Sequence, residues 1–442
     1  MHTAHGPVRI GVITTSYPRW RHDPAGNFVA GHVAWLRHCG HQVEVICAGD
    51  STPEHERWQP DVGLFPVPSP PGLFYAGGAP DALASRRRLF VRAARFTASL
   101  ARAVARRAVT WDMVYAHWLV PCAVAAAMAP TSAPIVAIAH SGDVHLARRI
   151  GLVTPLAAAF AARRIRLVFV SDSLRQGFVE QVRPARLRHR IEGLSAVVPM
   201  GVDLDHFRSL GAKSDRLAGC PAVPLGGNSA SHSLPEPQPA QLAGRPTAHP
   251  RPGPTAAGLT VLFLGRLVPI KGAHVLIAAA TDLAALVGSP VRIVVAGDGP
   301  ERARLECLAA ELTDCAIEFA GEVGGDRRDR LLARADVLAI PSVPVAGERS
   351  EGSPVTALEA MAAGIPVVAS RTGGLAELPA NAVYLVPPGD SRQLAKAIAN
   401  LWQDKASRRR QVESALSHVE KLDWSIVGPL LSWPTRRSNS VQ

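Results

Sequence analysis

"RSEGSPVTALEAMAAGIPVVAS", residues 349–370, reads as a loop, a helix and a strand in succession. Ala357, Leu358, Ala360, Met361, Ala362 and Ala363 give the helix the apolar character of a buried element. Pro-Val-Val-Ala at 366–369 comes next as a short buried strand. Ser353 is a good N-cap and Pro354 suits the first helical position, so the helix is expected to start at 354. Its free N–H groups and positive dipole end would then make an anion site, with Gly352 to Val355 around it. One carboxylate, Glu359, sits among the apolar positions, and a second, Glu351, lies in the loop ahead. Burying an unpaired carboxylate is costly, so Glu359 requires a polar partner. A salt bridge at the helix edge is the alternative to a ligand.

The same strand-and-helix alternation runs through the chain and predicts an α/β fold with parallel sheets. Strands are expected at 8–14, 42–48, 112–116, 134–139, 167–170 and 196–199, then at 259–264, 291–296, 316–319, 336–340, 366–369 and 383–386. Between the two sets the composition changes. Residues 208–257 are rich in Pro, Gly, Ser and Ala with little periodicity, which reads as a linker or insertion. The organisation is therefore two similar domains, 1–207 and 258–420, and a short tail, 421–442. Ligands of such sheets bind beyond the carboxyl ends of the strands. Those ends are polar here: Thr14–Ser16, His117–Trp118, "HSGD" at 140–143, Gly265–Arg266 and "GDGPE" at 297–301. They imply a cleft between two domains.

The chain has 442 residues, is 47% hydrophobic and 19% charged, and carries a net charge of +12. That describes a globular protein with two sizeable cores and a surface that favours anionic partners. Almost all the positive charge is Arg; five residues are Lys. Cys39, Cys47, Cys122, Cys220, Cys307 and Cys315 have no metal-ligand spacing and read as reduced, mostly buried thiols. Residues 1–20 show no basic leader, and no apolar run reaches the ~18 residues of a bilayer span. The expected location is the cytoplasm, with a peripheral site on the inner face of the membrane. Residues 82–109 carry eight Arg and no acid, a basic amphipathic helix suited either to an anionic lipid surface or to water. No nucleic-acid motif accompanies the charge.

Further motifs lie at the strand ends. "FLGRLVPIKG", 263–272, brings Arg266 and Lys271 into one loop after Gly265, where two cations can neutralise a diphosphate. A solvated basic loop is the alternative. "VVAGDGPERARLE", 294–306, lacks a complete dinucleotide fingerprint and is read as packing near a nucleotide. Gly373 and Gly374 in "TGGLAEL" would let backbone amides approach phosphates, or form a plain turn. Gly26, in the loop 15–27, permits close backbone approach. Asp203 and Asp205 superficially resemble a metal motif but read as a loop after a strand, so no metal is assigned.

"GRLVPIKG", "AGDGPE", "EGSPVTALEAMAAGIPVVAS" and "GGLAEL", in this order, resemble the donor-binding domain of family 4 of the retaining glycosyltransferases, which have the GT-B fold of two Rossmann-like domains facing a cleft. "DPAGNFVAGHVAWLRHCGHQVEV", "VYAHWLVP", "IAHSGDV" and "VVPMGVDLDHF" extend the resemblance to the first domain, most closely to the bacterial branch that builds envelope polysaccharides and glycolipids. The resemblance implies sugar transfer from a nucleotide-diphosphate sugar to a glycan or lipid-linked acceptor, with retention of configuration and no cofactor. It makes 1–207 the acceptor side and 258–420 the donor side. It assigns Glu351 and His140 to the reaction centre at the donor sugar, and Glu359 to the nucleotide ribose, the polar partner its burial requires. Arg266 and Lys271 would hold the diphosphate, with Gly265, Gly352, Ser353, Pro354 and Val355 around it. Gly26 and His117 fall on the acceptor side, although His117 is equally readable as a packing residue. Another enzyme on this fold, an epimerase or a phosphorylase, is the rival reading; no pyridoxal-lysine motif supports the second. A non-catalytic binder of anionic glycans leaves the glutamate pair unexplained. Met200 stands where Asn is more usual, the 208–257 insertion is long, and the tail offers little chain for the terminal helix that crosses back to the first domain in this fold.

Overall fold

The computed structural model describes residues 7–49, 62–71, 73–75, 89–217, 258–313, 315–345, 352 and 354–432. Glu351, Ser353, Arg86 to Arg88 and residues 218–257 lie outside the described residues. Two parallel sheets form. The first contains β1 (Arg9–Ile13), β2 (Gln42–Gly49), β3 (Gly63–Pro68), β4 (Met113–His117), β5 (Ile135–Ala139), β6 (Arg166–Phe169) and β7 (Ser195–Val197), in the order β3-β2-β1-β4-β5-β6-β7. The second contains β8 (Leu259–Leu264), β9 (Val291–Ala296), β10 (Ala316–Gly321), β11 (Val337–Ile340), β12 (Val367–Ser370) and β13 (Tyr384–Val386), in the order β10-β9-β8-β11-β12-β13. Each sheet reverses its strand order at one place, between β1 and β4 or between β8 and β11.

The twelve expected strands are present with their ends moved by two residues at most. β3 was not expected. Its sequence, Gly-Leu-Phe-Pro-Val-Pro, carries two prolines, which an edge strand tolerates and a central one does not. β5 is buried at all five positions, as a central parallel strand should be. The helix Leu204–Leu217 runs ten residues past the expected start of the linker at 208. Asp203, one of the two acids of the apparent metal motif, accepts from the backbone N–H of His206 at 3.0 Å and so caps that helix. One apolar cluster runs from Ile10 through Phe207 and Leu210 to Leu358, Met361 and Trp424, so the two halves share a core.

The tail corrects the expectation drawn from its length. The helix Trp424–Leu431 lies against the helix Asn27–His38 of the first domain. Trp424 packs where side chains on Gly31 and Gly201 would otherwise stand, and Trp35 takes the space left by Gly428. Arg166 donates to the carbonyls of Leu430 and Ser432 at 2.9 and 2.6 Å. Eight helical residues suffice because two large indoles, not helix length, make the contact. Elsewhere Glu377 accepts from the backbone N–H groups of Asp172 and Ser173, at 3.0 Å each, and joins the second domain to the first turn of the helix Asp172–Val179. The cysteines also differ from expectation. Among the described five, Cys47 and Cys122 are buried, Cys39 and Cys307 are exposed and Cys315 is half-buried.

Candidate active site

A cleft of about 870 Å³ opens between the domains at the carboxyl ends of β1, β4, β8 and β11. Both reversal points face it, the place where open parallel sheets leave room for a ligand. On the second domain the chain leaves β8 through Gly265 and Arg266. Leu267 N–H donates to Asp298 C=O at 2.8 Å and Glu301 N–H to Leu267 C=O at 3.0 Å, which stitches the loops after β8 and β9 together. Gly297 has φ +146°, and a Cβ there would lie 1.8 Å from the Gly265 carbonyl oxygen. Only glycine meets both conditions. Gly265, Arg266 and Lys271 line the cleft, as do Gly297, Asp298, Gly299 and Pro300. Four residues of the "GDGPE" loop therefore form part of the wall, near where a nucleotide would lie.

The helix of the opening stretch spans Val355–Ala362, and Pro354, at φ −82° and ψ 58°, takes the cap position. The expected start with Pro354 inside the helix is thus one residue early, since that ψ is not helical. The Pro354 carbonyl accepts from Ala357 and Leu358 N–H, at 2.8 and 3.1 Å. Pro354, Val355, Thr356 and Glu359 line the cleft. Gly352 sits against Ser141 of the first domain, where a Cβ would come within 2.6 Å of the serine Cβ. Ser353 and Glu351 lie outside the described residues. Glu359 is buried, and its polar partner is Arg328, which pairs with it directly. Burial pushes the Glu359 carboxyl up, and the Arg328 charge opposes that push. The protein itself therefore answers the electrostatic demand that the resemblance left to a ribose. Gly373 and Gly374 also differ from expectation. The Gly352 carbonyl fills the space beside Gly374, within 1.7 Å of where a Cβ would be, and neither glycine lines the cleft.

From the first domain come Thr15, Ser16, Arg19, Gly26, Phe28, Trp118, Ser141 and Asp143. Gly26 has φ +69° and leads into the helix Asn27–His38; a Cβ would meet the Ser16 carbonyl oxygen at 2.3 Å. Arg19 is fixed by Asp23, Nε to Oδ2 at 2.6 Å, with its guanidinium over the rings of Trp20 and Tyr75 at 4.2 and 4.3 Å. Asp143 accepts from Leu119 N–H at 2.6 Å and His140 N–H at 3.0 Å, which pins the ends of β4 and β5. Burial raises its carboxyl to about 7 against the pull of those backbone donors. His140 is buried and does not itself line the cleft; it packs against the cleft-lining Phe28 and Trp118, with ring centroids 4.9 and 5.0 Å away. His117 is fully buried and lines no part of the cleft. The acceptor-side assignment of His117 is replaced by a hydrogen bond to His140, Nδ1 to Nε2 at 3.2 Å.

Arg328, Arg19 and Asp143 escaped sequence reasoning. Arg328 and Arg19 stand among many arginines, and only tertiary contact separates them from solvated ones. Asp143 stood in the "HSGD" strand end, where an acid three residues after a histidine is a local signal for a pinned loop.

Two family models match the chain: "Glycosyl transferase 4-like domain" over residues 25–192 and "Glycosyl transferases group 1" over residues 245–418. The chain joins a glycosyl transferase 4-like domain to a group 1 glycosyl transferase domain. It is 35% identical over 190 residues to the phosphatidyl-myo-inositol mannosyltransferase of Mycobacterium leprae, a match covering 42% of this chain and 46% of that one. It is 36% identical over 151 residues to the putative colanic acid biosynthesis glycosyltransferase WcaL of Escherichia coli, covering 34% and 37%. The match spans less than half the length of these curated relatives. Over the whole fold it is similar to Anabaena HepE in complex with UDP-glucose, with TM-score 0.63, 18% identity and coverage of 96% and 98%. The α,α-trehalose-phosphate synthase of Burkholderia vietnamiensis gives TM-score 0.66, 18% identity and coverage of 96% and 95%. The fold is GT-B.

Proposed function

We propose that the chain transfers a sugar from a nucleotide-diphosphate sugar to a hydroxyl of a glycan or lipid-linked acceptor, with retention of configuration. The observation that carries this reading is the cleft wall at the end of β8, where Arg266 and Lys271 line the same space as Glu359 and the helix beginning at Val355. Negative charge grows on the diphosphate as the glycosidic C–O bond breaks. Fixed cations and backbone N–H groups that await that charge are usually the largest catalytic term. Two side-chain cations supply it without a divalent metal. The acceptor hydroxyl forms the new C–O bond, and its proton passes to a leaving diphosphate oxygen on the same face. Glu351 is assigned to the donor sugar's hydroxyls. Glu359 is assigned to the ribose, which it would share with Arg328. Arg19 and Gly26 border the acceptor. The relatives' names, a phosphatidyl-myo-inositol mannosyltransferase and a putative colanic acid biosynthesis glycosyltransferase, support a glycolipid or polysaccharide acceptor.

No helix among the described residues is long and apolar enough to cross a membrane. The helix Leu89–Arg107 turns Phe96, Leu100, Ala101 and Val104 into the core. Those four apolar positions are therefore already covered, and what the described helix offers a peripheral membrane contact is the exposed Val91 and the charge of the exposed Arg92, Arg95, Arg102 and Arg106.

Thermal stabilisation by UDP, GDP, ADP and their sugar conjugates tests the donor site, since a ligand of the folded state stabilises it by RT ln(1 + [L]/Kd). One nucleotide should raise Tm, and Arg266→Ala should abolish the rise. No rise with any of them refutes the donor site. Glu351→Gln should then retain the rise and lose turnover.

A further inference from the structure

Behind the cleft, three imidazoles form a column into the first domain. His140 Nε2 lies 3.2 Å from His117 Nδ1, and His117 Nε2 lies 3.1 Å from His32 Nδ1. The rings come from three elements: the loop after β5, the end of β4 and the helix Asn27–His38. His117 and His32 are fully buried. The tail closes the far end, where the Trp424 indole stacks on His32 with centroids 5.5 Å apart and planes 6° apart. The last nitrogen of the column, His32 Nε2, is buried with no hydrogen-bond partner among the described residues.

A neutral imidazole carries one N–H and one lone pair. Each N···N bond in the column needs one proton, and each ring has one to give. The three tautomers are therefore coupled, and two arrangements exist. With every proton on Nε2, His140 donates inward and the surplus N–H is stranded at His32 Nε2. With every proton on Nδ1, His32 donates to His117, His117 donates to His140, and the surplus N–H stands at His140 Nδ1. Buried N–H groups without an acceptor are rarer than buried acceptors without a donor. The second arrangement leaves only a lone pair at the dry end and moves the proton to the ring beside the cleft. Burial pushes His140 and His32 down to about 3 and His117 well down, and the neighbouring imidazoles add to the effect at His117 and His140. The column is thereby kept neutral.

We propose that His32 and His117 are positioning residues that hold His140 as its Nδ1–H tautomer, so that the one ring nitrogen of His140 outside the column is a hydrogen-bond donor and not a base. This rests on the reading of the cleft as a glycosyl-transfer site. The N–H would serve an oxygen of the donor sugar or its leaving diphosphate. The acceptor's proton would then have to leave by another route, as the transfer to the diphosphate already requires.

Nitrogen NMR of the full chain labelled at histidine tests the tautomers without any turnover. The three resonance pairs are assigned with single His→Gln variants. Protonated Nδ1 on all three rings near neutral pH is the expected result; a proton on Nε2 of any of them overturns the proposal. His32→Phe keeps the stack on Trp424 and removes the donor to His117. Partners that orient a metal-ligating histidine are worth roughly 10- to 100-fold, and the same scale is taken for an oriented imidazole here. A kcat lower by that factor, with the donor KM within about twofold, is expected. His32→Asn places an amide donor near the position of Nδ1 and should restore most of the rate. Equal rates for the wild type and His32→Phe, or no rescue by His32→Asn, overturn the positioning role. If the wild type transfers no sugar from any nucleotide donor, the glycosyl-transfer reading fails. The NMR result still decides the column.

Discussion

Replacing Arg328 by alanine isolates the buried pair at the base of the cleft. The side chains of Arg328 and Glu359 are 13% and 11% exposed, and the guanidinium also lies 5.4 Å from the Phe207 ring centre. Removing one member of such a pair leaves a charge with neither water nor partner, a loss of about 3–5 kcal/mol. For a domain of 150–250 residues, that lowers Tm by on the order of 10 °C. The size of the loss should depend on pH. Burial already raises the Glu359 carboxyl above its ordinary 4.5, and Arg328 is the main group holding it back. Without Arg328 the carboxyl rises further. A carboxyl raised in the folded state favours folding while protonated, below its unfolded value, and that advantage is lost as pH rises through the folded value. The deficit of Arg328→Ala should therefore be larger near pH 8 than near pH 5. Thermal melts of wild type, Arg328→Ala and Arg328→Ala/Glu359→Gln across that range measure it. The double variant, which has no buried charge, should recover part of the loss. A deficit that is independent of pH, or a double variant no more stable than the single one, refutes the assignment of Arg328 as the partner of Glu359.

Three further outcomes are expected. His32 falls from its ordinary 6.5 to about 3 on folding, so below 6.5 the unfolded chain takes up a proton that the folded chain refuses. Stability is lost as pH falls, and His32→Phe should make that loss shallower by about 1.4 kcal/mol per pH unit within the window. Denaturant titrations of the two proteins check the difference; parallel pH curves refute it. Trp424→Ala should cost about 3–5 kcal/mol, seen as a lower midpoint in denaturant, because the indole fills space between Gly31 and Gly201 that no neighbour can take. Gly297→Ala should fold yet lose the nucleotide-induced rise in Tm, because its methyl group displaces the Gly265 carbonyl beside Arg266. A full rise in that variant would show that the loop after β8 does not hold the nucleotide.

By itself the sequence determined the alternation of strand and helix, the two sheets and most of the cleft wall. These rest on short-range patterns: apolar runs of four to six residues, glycines where the chain must turn, and polar residues placed just after strands. Arg266, Lys271, Glu359 and Gly26 were found because each lies close in the chain to a strand or helix end that the local pattern marks. β3 was missed because an edge strand need not look like a strand, and the helix from Leu204 to Leu217 because its start, not its composition, marks it. Tertiary structure alone decided which charged and titratable groups meet. Arg328 is thirty-one residues from Glu359, and Glu377 caps a helix some two hundred residues earlier in the chain. His32, His117 and His140 carry no spacing that joins them; they meet because β4 and β5 pair and the first helix lies across their ends. Periodicity reports which face of an element is buried. It does not report what another element brings to that face. The energy of a buried charge or an imidazole hydrogen bond is set by that second party.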